Sequence, residues 1–329
     1  MLRREFIAGL GSAAVWPLAA GAQQGDRVRR LGVFMAVDEG DPAARRDLET
    51  FRKRLAQLGW TEGRNLQIEY RWALGDAALF RKFAAELVAL SPDVILAQGS
   101  GSVGPLLQVT RTLPIVFTGV VDPVGAGLVA SLSRPGGNAT GFAIFEHSLA
   151  VKWLELLKEI APRTKRVAVI RNPVQFTGIG QLAAIQAVAP SLRIEELIVI
   201  DVRSPDEMAS ALAEFSRKSE GGLIVTSSGA AVVHRQQIIA LAANLKLPSV
   251  YPLGYFAADG GLVSYGPETI DQYVRAAGYV DLIFHGETPA DMPVQAPTKF
   301  EMIVNLKTAK ALGLSVPLSI RVRANELIE

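Results

Sequence analysis

The sequence of 329 residues contains no cysteine. This absence excludes disulfides, thiolate metal sites, thiol nucleophiles and lipid attachment through cysteine. Histidine is almost as scarce, since His147, His234 and His285 are the only three in the chain and none belongs to an H-x-x-x-H or H-E-x-x-H pattern. No clustered carboxylates accompany them, so neither a metal nor a cofactor is expected.

Net charge of one sign is also missing. Lys and Arg number 34 against 32 for Asp and Glu, which leaves a net charge of +2, and no basic stretch stands out other than residues 27–30. A nucleic-acid partner is therefore not expected. The chain lacks a G-x-S-x-G elbow, an S-x-x-K motif and any Gly-Lys dipeptide, which argues against serine catalysis and a phosphate loop. With 49% hydrophobic residues, a chain of this length predicts a globular protein of two lobes.

The first 22 residues have the pattern of a secretory signal peptide. Arg3 and Arg4 precede an apolar stretch that runs to Leu18, and small residues at 20–22 precede Gln23. This predicts export to the periplasm with cleavage before Gln23, and the arginine pair resembles a twin-arginine signal. The alternative is a membrane anchor, but the apolar segment is shorter than the roughly 20 residues that span a bilayer.

From residue 30 onwards, short apolar runs alternate with amphipathic ones. The pattern predicts helices over 48–58, 79–90 and 103–109, and strands over 31–37, 66–72, 94–97, 114–118 and 139–145. Such a β-α alternation is typical of a parallel sheet covered by helices. A turn-rich stretch at 134–138 is the predicted join between lobes.

The second half of the chain repeats the first. Strand-like segments that begin at residues 30, 93 and 113 recur at 166, 222 and 247, at offsets of 129 to 136 residues. This predicts two Rossmann-like, doubly wound α/β lobes. Ligands of such sheets bind at the carboxyl ends of the strands, so two facing lobes are expected to form one cleft.

The loop Gly99-Ser100-Gly101-Ser102-Val103-Gly104 matches G-x-G-x-x-G after a strand, with Asp122 18 residues later. One interpretation is a dinucleotide site. It is disfavoured because the loop follows the third strand, Pro105 follows it directly, and an exported protein meets no nicotinamide pool. The other interpretation is an anion pocket, in which backbone N–H groups and the hydroxyls of Ser100 and Ser102 bind a carboxylate at a helix N-terminus.

Asp122 has two interpretations that remain open. Its carboxylate could receive an amine or hydroxyl of a ligand at the mouth of the sheet, or it could cap a helix over 124–132 with Pro123 at the first position.

Other candidate contacts come from the second half of the chain. Ser227 and Ser228 follow a strand as Gly99 and Ser100 do, so these loops either form a clamp or simply cap helices. Asn172, Tyr255 and Tyr265 could stack on or hydrogen-bond a planar ligand, although aromatic residues at strand ends often belong to the core.

Six segments in order along the chain resemble the ABC-transporter substrate-binding protein family with a type I periplasmic-binding fold, in the subgroup that includes tryptophan and tyrosine binders. They are LGWTEGRN at 58–65, IEYRW at 68–72, DPVGAGLV at 122–129, RPGGNATG at 134–141, GGLVSYG at 260–266 and NLKTAKALG at 305–313.

The resemblance implies three crossovers between the lobes. Lobe one would comprise residues 23–145 plus about 262–295, and lobe two residues 146–261 plus about 296–329. The pocket would lie at Gly99-Ser100-Gly101, at Asp122, at the loop after Val225 and near Tyr265.

One departure from the family concerns the ligand. Aromatic amino-acid binders tend to carry Asp-Asn where this chain has Ser227-Ser228. An aromatic acid without an amine is therefore an alternative to an aromatic amino acid.

The expected protein is a monomeric solute receptor that closes on a small organic ligand and delivers it to an ABC permease. A ligand-sensing subunit for a membrane signalling system is the first alternative, and a cleft hydrolase or oxidoreductase is the second.

Overall fold

The computed structural model describes residues 28–144, 147–173 and 177–329. The predicted signal peptide over residues 1–22 lies outside the described residues, as does Phe145 at the end of a predicted strand. Within the described ranges, the chain forms two α/β lobes, each built on its own sheet.

The strands are β1 Arg29–Met35, β2 Leu66–Trp72, β3 Val94–Gln98, β4 Ile115–Val120, β5 Ala139–Ala143, β6 Arg166–Arg171, β7 Glu196–Asp201, β8 Gly221–Val225, β9 Ser249–Tyr251, β10 Val263–Pro267, β11 Phe300–Asn305 and β12 Glu326–Ile328. The α-helices are α1 Pro42–Gln57, α2 Ala77–Ala89, α3 Gly99–Val109, α4 His147–Ile160, α5 Thr177–Val188, α6 Pro205–Phe215, α7 Gly229–Val233, α8 Arg235–Asn244, α9 Gly254–Ala258, α10 Thr269–Phe284, α11 Leu306–Ala311 and α12 Leu318–Arg323. A 3-10 turn covers Pro289–Asp291.

The first lobe contains a parallel sheet in the order β2-β1-β3-β4-β5. Helices α1 and α10 bury their apolar sides on one face of this sheet, and α2 and α3 cover the other. Because all strands point the same way, the loops after β1, β3 and β4 lie at one edge of the sheet.

The second lobe contains a sheet in the order β12-β11-β10-β9-β8-β6-β7. Strand β11 runs antiparallel to β10, whereas the other neighbouring strands pair in parallel. Trp153 of α4 is fully buried against one face. The two sheets and their helices confirm the predicted pair of doubly wound α/β lobes.

The chain passes between the lobes three times, and one passage differs from the expected boundary near residue 262. Val263 pairs with Val250 of β9 and with Val304 of β11, so β10 belongs to the second sheet. The crossing follows Pro267, and α10 then packs on the first lobe. The physical reason is that the apolar run at 262–265 completes the second sheet before the helix begins.

Helix α1 shows how local sequence sets an element boundary. Asp41 caps the helix, its Oδ1 accepting a hydrogen bond of 2.9 Å from the amide of Ala44, and Pro42 occupies the first position. The helix ends before Gly59, whose φ is +100°. Apolar periodicity predicted a start at residue 48, because the first turns contain no large apolar residue and the small Ala43 and Ala44 are the only apolar residues buried there.

Gly141 in β5 tests the packing of the first sheet. Its φ is +151°, and a Cβ at this position would collide with the backbone O of Phe117 and lie 2.6 Å from its N. Since the backbone of β4 cannot move aside, we expect Gly141→Ala to lower the free energy of unfolding by about 2–4 kcal/mol in urea titrations. Gly278→Ala in α10 is the control, because a Cβ there meets no atom within 4 Å and stabilises a helix by up to about 1 kcal/mol. Equal effects of the two substitutions on the free energy of unfolding would contradict the predicted collision with the backbone of β4.

Candidate functional site

A cavity of about 160 Å³ lies between the lobes, where the loops after β1, β3 and β4 face those after β6, β8 and β9. One water molecule needs roughly 10–15 Å³ of such space, so the cavity has room for a small organic molecule. Gly75 of the first lobe and Val233 of the second approach each other at its rim.

The structure brings seven of the ten predicted site residues to the cavity wall. They are Gly99, Ser100, Gly101, Asn172, Ser227, Ser228 and Tyr255. They come from both lobes because parallel strands in each sheet end at the cleft. Their role in binding stays a prediction.

The amino end of α3 contacts the cavity directly. Gly99 has a φ of +74°, and a Cβ on Gly101 would lie 2.9 Å from the ring of Phe80. Glycine at these two positions therefore allows the helix to begin close against the wall. The first amides of a helix have no partner within it and carry the positive end of its dipole, so this end of the cavity favours an anion.

Facing α3, the loop after β8 uses its serines partly for local structure. Ser228 is the N-cap of α7, and its hydroxyl accepts a hydrogen bond of 3.1 Å from the amide of Ala231. The amide of Ser227 donates to Oε1 of Gln181 at 3.0 Å. Ser228 therefore both caps α7 and lines the cavity.

Ser102 does not line the cavity. It is fully buried, and its hydroxyl lies 2.6 Å from the carbonyl oxygen of Gln98 and 2.9 Å from that of Gly99. A serine one turn inside a helix can donate its hydroxyl to a carbonyl oxygen of the preceding turn. Ser102 makes this local hydrogen bond and does not face the cavity, contrary to the expectation that it contacts a ligand.

Asp122 also lies away from the cavity wall. Its Oδ1 accepts a hydrogen bond of 2.9 Å from the amide of Gly125, and its own φ is +44°. The expected helix over 124–132 is replaced by successive turns, since Gly127 adopts a φ of +68° that a helix cannot contain. Asp122 therefore caps a turn one step beyond the cavity.

Tyr265 does not line the cavity, because β10 belongs to the second sheet. Its ring stacks on Phe300 of β11 with centroids 6.4 Å apart, and its carbonyl oxygen accepts a hydrogen bond of 2.7 Å from Nε1 of Trp153. The general expectation that aromatic residues at strand ends belong to the core applies to this residue.

The polar residues of the cavity wall that sequence reasoning missed include Asp47, Thr118, Gln272 and Tyr273. Asp47 and the two α10 residues lie on helix faces that also carry core residues. A signal was present in α1, where Asp47 interrupts an apolar stripe formed by Ala44, Leu48 and Phe51.

Asp47 is a buried carboxylate with few partners. It is 3% exposed, its Oδ1 lies 3.4 Å from a guanidinium nitrogen of Arg46, and the Thr269 side chain is its other hydrogen-bond neighbour. Burial raises the pKa of Asp47 to about 6, although Arg46 and Thr269 act in the opposite direction. The ionised carboxylate is therefore poorly compensated by the described protein groups.

Three further polar atoms of the wall are buried without a hydrogen-bond partner in the described residues, namely Oγ1 of Thr118, Nε2 of Gln272 and the hydroxyl of Tyr273. The Tyr273 hydroxyl has the side chains of Thr118 and Gln98 as neighbours but in no hydrogen-bond geometry. The Oε1 of Gln272 does accept a bond of 3.0 Å from the amide of Gly119. Unsatisfied buried polar atoms are costly, and their grouping marks this wall as built for polar contact.

A charged contact joins the lobes beside the cavity. Arg235 of α8 is 4% exposed and pairs with Asp41 of the first lobe, while its Nε donates to Oδ2 of Asp259 at 2.6 Å. The guanidinium also lies over the ring of Tyr255, 5.1 Å from its centroid. Arg235 thus connects the α1 cap to the wall of the cavity.

The residues that the structure describes contain neither a metal-binding cluster nor a membrane-spanning helix. Their His, Asp and Glu side chains form no group of three or more that could hold a metal ion. None of the helices in these ranges is both long enough and apolar enough to cross a membrane.

Comparison with known proteins decides the family. The model of the ABC transporter substrate binding protein family matches residues 32–328. The chain belongs to this family. Its two lobes have the type I periplasmic-binding fold, as the sequence resemblance implied.

Individual relatives of this substrate-binding protein are more distant. A tyrosine-binding protein of Clostridioides difficile (strain R20291) is 26% identical over 287 residues, which cover 87% of this chain and 81% of the relative. A conserved domain protein from Vibrio cholerae O1 biovar eltor superposes with a TM-score of 0.84 at 27% identity, over 92% of this chain and 100% of that one. An ABC domain from Streptococcus pneumonia in complex with L-Trp superposes with a TM-score of 0.81 at 23% identity, over 91% and 100%.

The buried Asp47 gives this substrate-binding protein a testable pH dependence of stability. The folded state keeps the Asp47 proton at pH values where the unfolded chain, with a pKa near 3.8, has lost it. The free energy of unfolding therefore falls as pH rises from about 4 to about 6. We expect ligand-free Asp47→Asn to exceed wild type at pH 7.5 by roughly 1–3 kcal/mol, with the difference vanishing towards pH 4.

Urea unfolding at several pH values measures this difference. The exposed Asp206→Asn on α6 is the control and should give a small difference at every pH. A stability difference between wild type and Asp47→Asn that does not change with pH would show that burial of the Asp47 charge is not its cause.

Proposed function

We propose that the protein is the periplasmic solute receptor of an ABC importer and that it closes on an aromatic amino acid or a related aromatic carboxylate. The observation that carries the proposal is the cavity between the lobes, whose walls combine hydrogen-bond donors from both sheets with apolar side chains. Small-molecule sites have this composition, mostly apolar with a few placed polar groups.

The carboxylate end is assigned to the amino end of α3. Backbone amides of Gly99, Ser100 and Gly101 begin that helix at the cavity wall, and the Ser100 hydroxyl adds a donor. Ser227 stands on the facing loop of the second lobe. An anion at this position gains both directed hydrogen bonds and the favourable end of the helix dipole.

The aromatic part is assigned to the apolar surface of the same cavity. Phe80 and Val121 supply it from the first lobe, and Leu253 and the Tyr255 ring supply it from the second. Contact with rings and aliphatic groups on both sides favours a flat apolar group over a sugar, whose hydroxyls would all need partners.

The relatives support the same ligand class. The curated relative is a tyrosine-binding protein, and one solved structure of the same fold holds L-Trp. Membership of the family also supports delivery to an ABC permease. Export is proposed from the pattern of residues 1–22, with Arg3 and Arg4 as the twin-arginine pair.

Ligand binding and closure form the primary test. A thermal-shift screen of amino acids and aromatic acids should give its largest shifts with aromatic members, and calorimetry should confirm that they bind. The bound compound should be recovered chemically unchanged. Shifting the protein from mostly open to mostly closed requires the ligand to bind the closed state about 5.5 kcal/mol more tightly than the open state. Because closure makes the protein more compact, the radius of gyration in solution scattering should fall at saturation. Binding without any change in the scattering curve would contradict the closure mechanism.

The contact between Asp41 and Arg235 should contribute to closure. We expect Asp41→Asn to weaken binding of the best screened compound by about tenfold, or about 1.4 kcal/mol, because Asn still caps α1 but no longer pairs with Arg235 of the other lobe. Asp76→Asn is the matched control, since Asp76 caps α2 and has no partner among the described residues of the second lobe. Equal affinities for the two variants would remove the Asp41 pair from the closure mechanism.

A further inference from the structure

Asp47 is the only carboxylate that lines the cavity in the described part of the chain. The cavity-lining residues of the second lobe carry no acidic group, because that wall consists of Asn172, the serines after β8, small or aliphatic residues and Tyr255. A cationic group inside the cavity therefore finds its complementary charge only on α1 of the first lobe.

The surroundings of Asp47 leave it short of positive charge. On its own helix it faces Arg46, whose side chain is 50% exposed, and the carboxylate of Asp41. From the elements packed against it come Glu301 of β11, Tyr255 of α9 and Tyr273 of α10, which are acidic or neutral. Arg235, the cation that lies over the Tyr255 ring, is already paired with Asp41 and Asp259.

Several other polar groups of the cavity wall can donate hydrogen bonds, whereas an ionised Asp47 carboxylate only accepts them. The amides of α3 and the Ser100 hydroxyl are potential donors, and the unsatisfied Nε2 of Gln272 can only donate. A solute that satisfies all of them presents an acceptor to α3 and a donor to Asp47. A carboxylate ligand without an amine would leave Asp47 buried and unpaired, which is costly when the group is ionised.

We propose that Asp47 binds a protonated amine of the solute and thereby makes the receptor selective for solutes that carry an amine as well as a carboxylate. The inference rests on the proposed function and narrows it to the aminated compounds. It also moves amine recognition from Asp122, which does not line the cavity, to a helix of the first lobe.

The proposal predicts the direction in which the binding affinity changes with pH. Burial raises the pKa of Asp47 to about 6, so the carboxylate is ionised in neutral buffer and becomes neutral as the pH falls. A cation on Asp47 predicts affinity that rises with pH through about 6. A protonated Asp47 that donated to a ligand oxygen would instead give affinity that falls over the same range.

The test compares probes with and without the amine. Calorimetry at pH 7.5 measures L-tyrosine against 3-(4-hydroxyphenyl)propionate, and L-tryptophan against 3-(indol-3-yl)propionate. Wild type should prefer the aminated member of the bound pair by at least about 30-fold. Asp47→Asn should reduce this preference to within about threefold of unity while retaining the des-amino compound, and Asp122→Asn should leave it unchanged.

The outcomes separate the two proposals. Binding with an amine preference that survives in Asp47→Asn would overturn the role of Asp47 and leave the proposed function standing. Equal affinities of wild type for both members of a pair would do the same. Binding of none of the four probes would overturn the proposed function itself. Wild-type affinity for the bound amino acid between pH 5 and 8 provides a readout that needs no variant, and an affinity that falls with rising pH would overturn the inference.

Discussion

Parallel strands that end at one edge are the constraint on which the site depends. In both lobes the strands next to the cleft run in parallel, so every loop that leaves their carboxyl ends must meet the facing loops of the other lobe. Gly99 adopts a φ of +74° where β3 passes into α3, and Gly119 adopts a φ of +67° at the irregularity near the end of β4, values that glycine reaches without steric cost. The amino end of α3 follows from the same geometry, because a helix after a parallel strand begins at that edge.

This constraint also explains what the sequence could predict. The lobes, their order of strands and helices, and the loop residues Gly99 to Gly101, Asn172 and Ser228 follow from chain order and strand polarity alone. Asp47, Gln272 and Tyr273 do not, because a helix face that borders a cavity has the same periodicity as one that borders the core. Tyr265 was misplaced for a different reason: a buried run does not reveal which sheet it completes.

The first turns of α1 place two carboxylates towards the second lobe with different partners. Asp41 caps the helix and pairs with Arg235, which is held in turn by Asp259 and the Tyr255 ring. Asp47, the sixth residue of the helix, has only Arg46 and Thr269. A buried carboxylate retained with so little compensation lowers stability at neutral pH, which is typical of residues kept for binding rather than for folding.

In the proposed closure mechanism, the difference between these two carboxylates makes closure conditional on the solute. Bringing the second lobe against α1 supplies Asp41 with a guanidinium but supplies Asp47 with the neutral Tyr255 and with the carboxyl of Glu301, whose own pKa burial raises to about 7. Closure of the empty protein therefore excludes water from Asp47 without replacing its hydration, at a cost in free energy. A protonated amine in the cavity removes that cost. Since a ligand shifts an equilibrium only by its difference in affinity for the two states, a single buried carboxylate can couple recognition of the solute to the movement of the lobes.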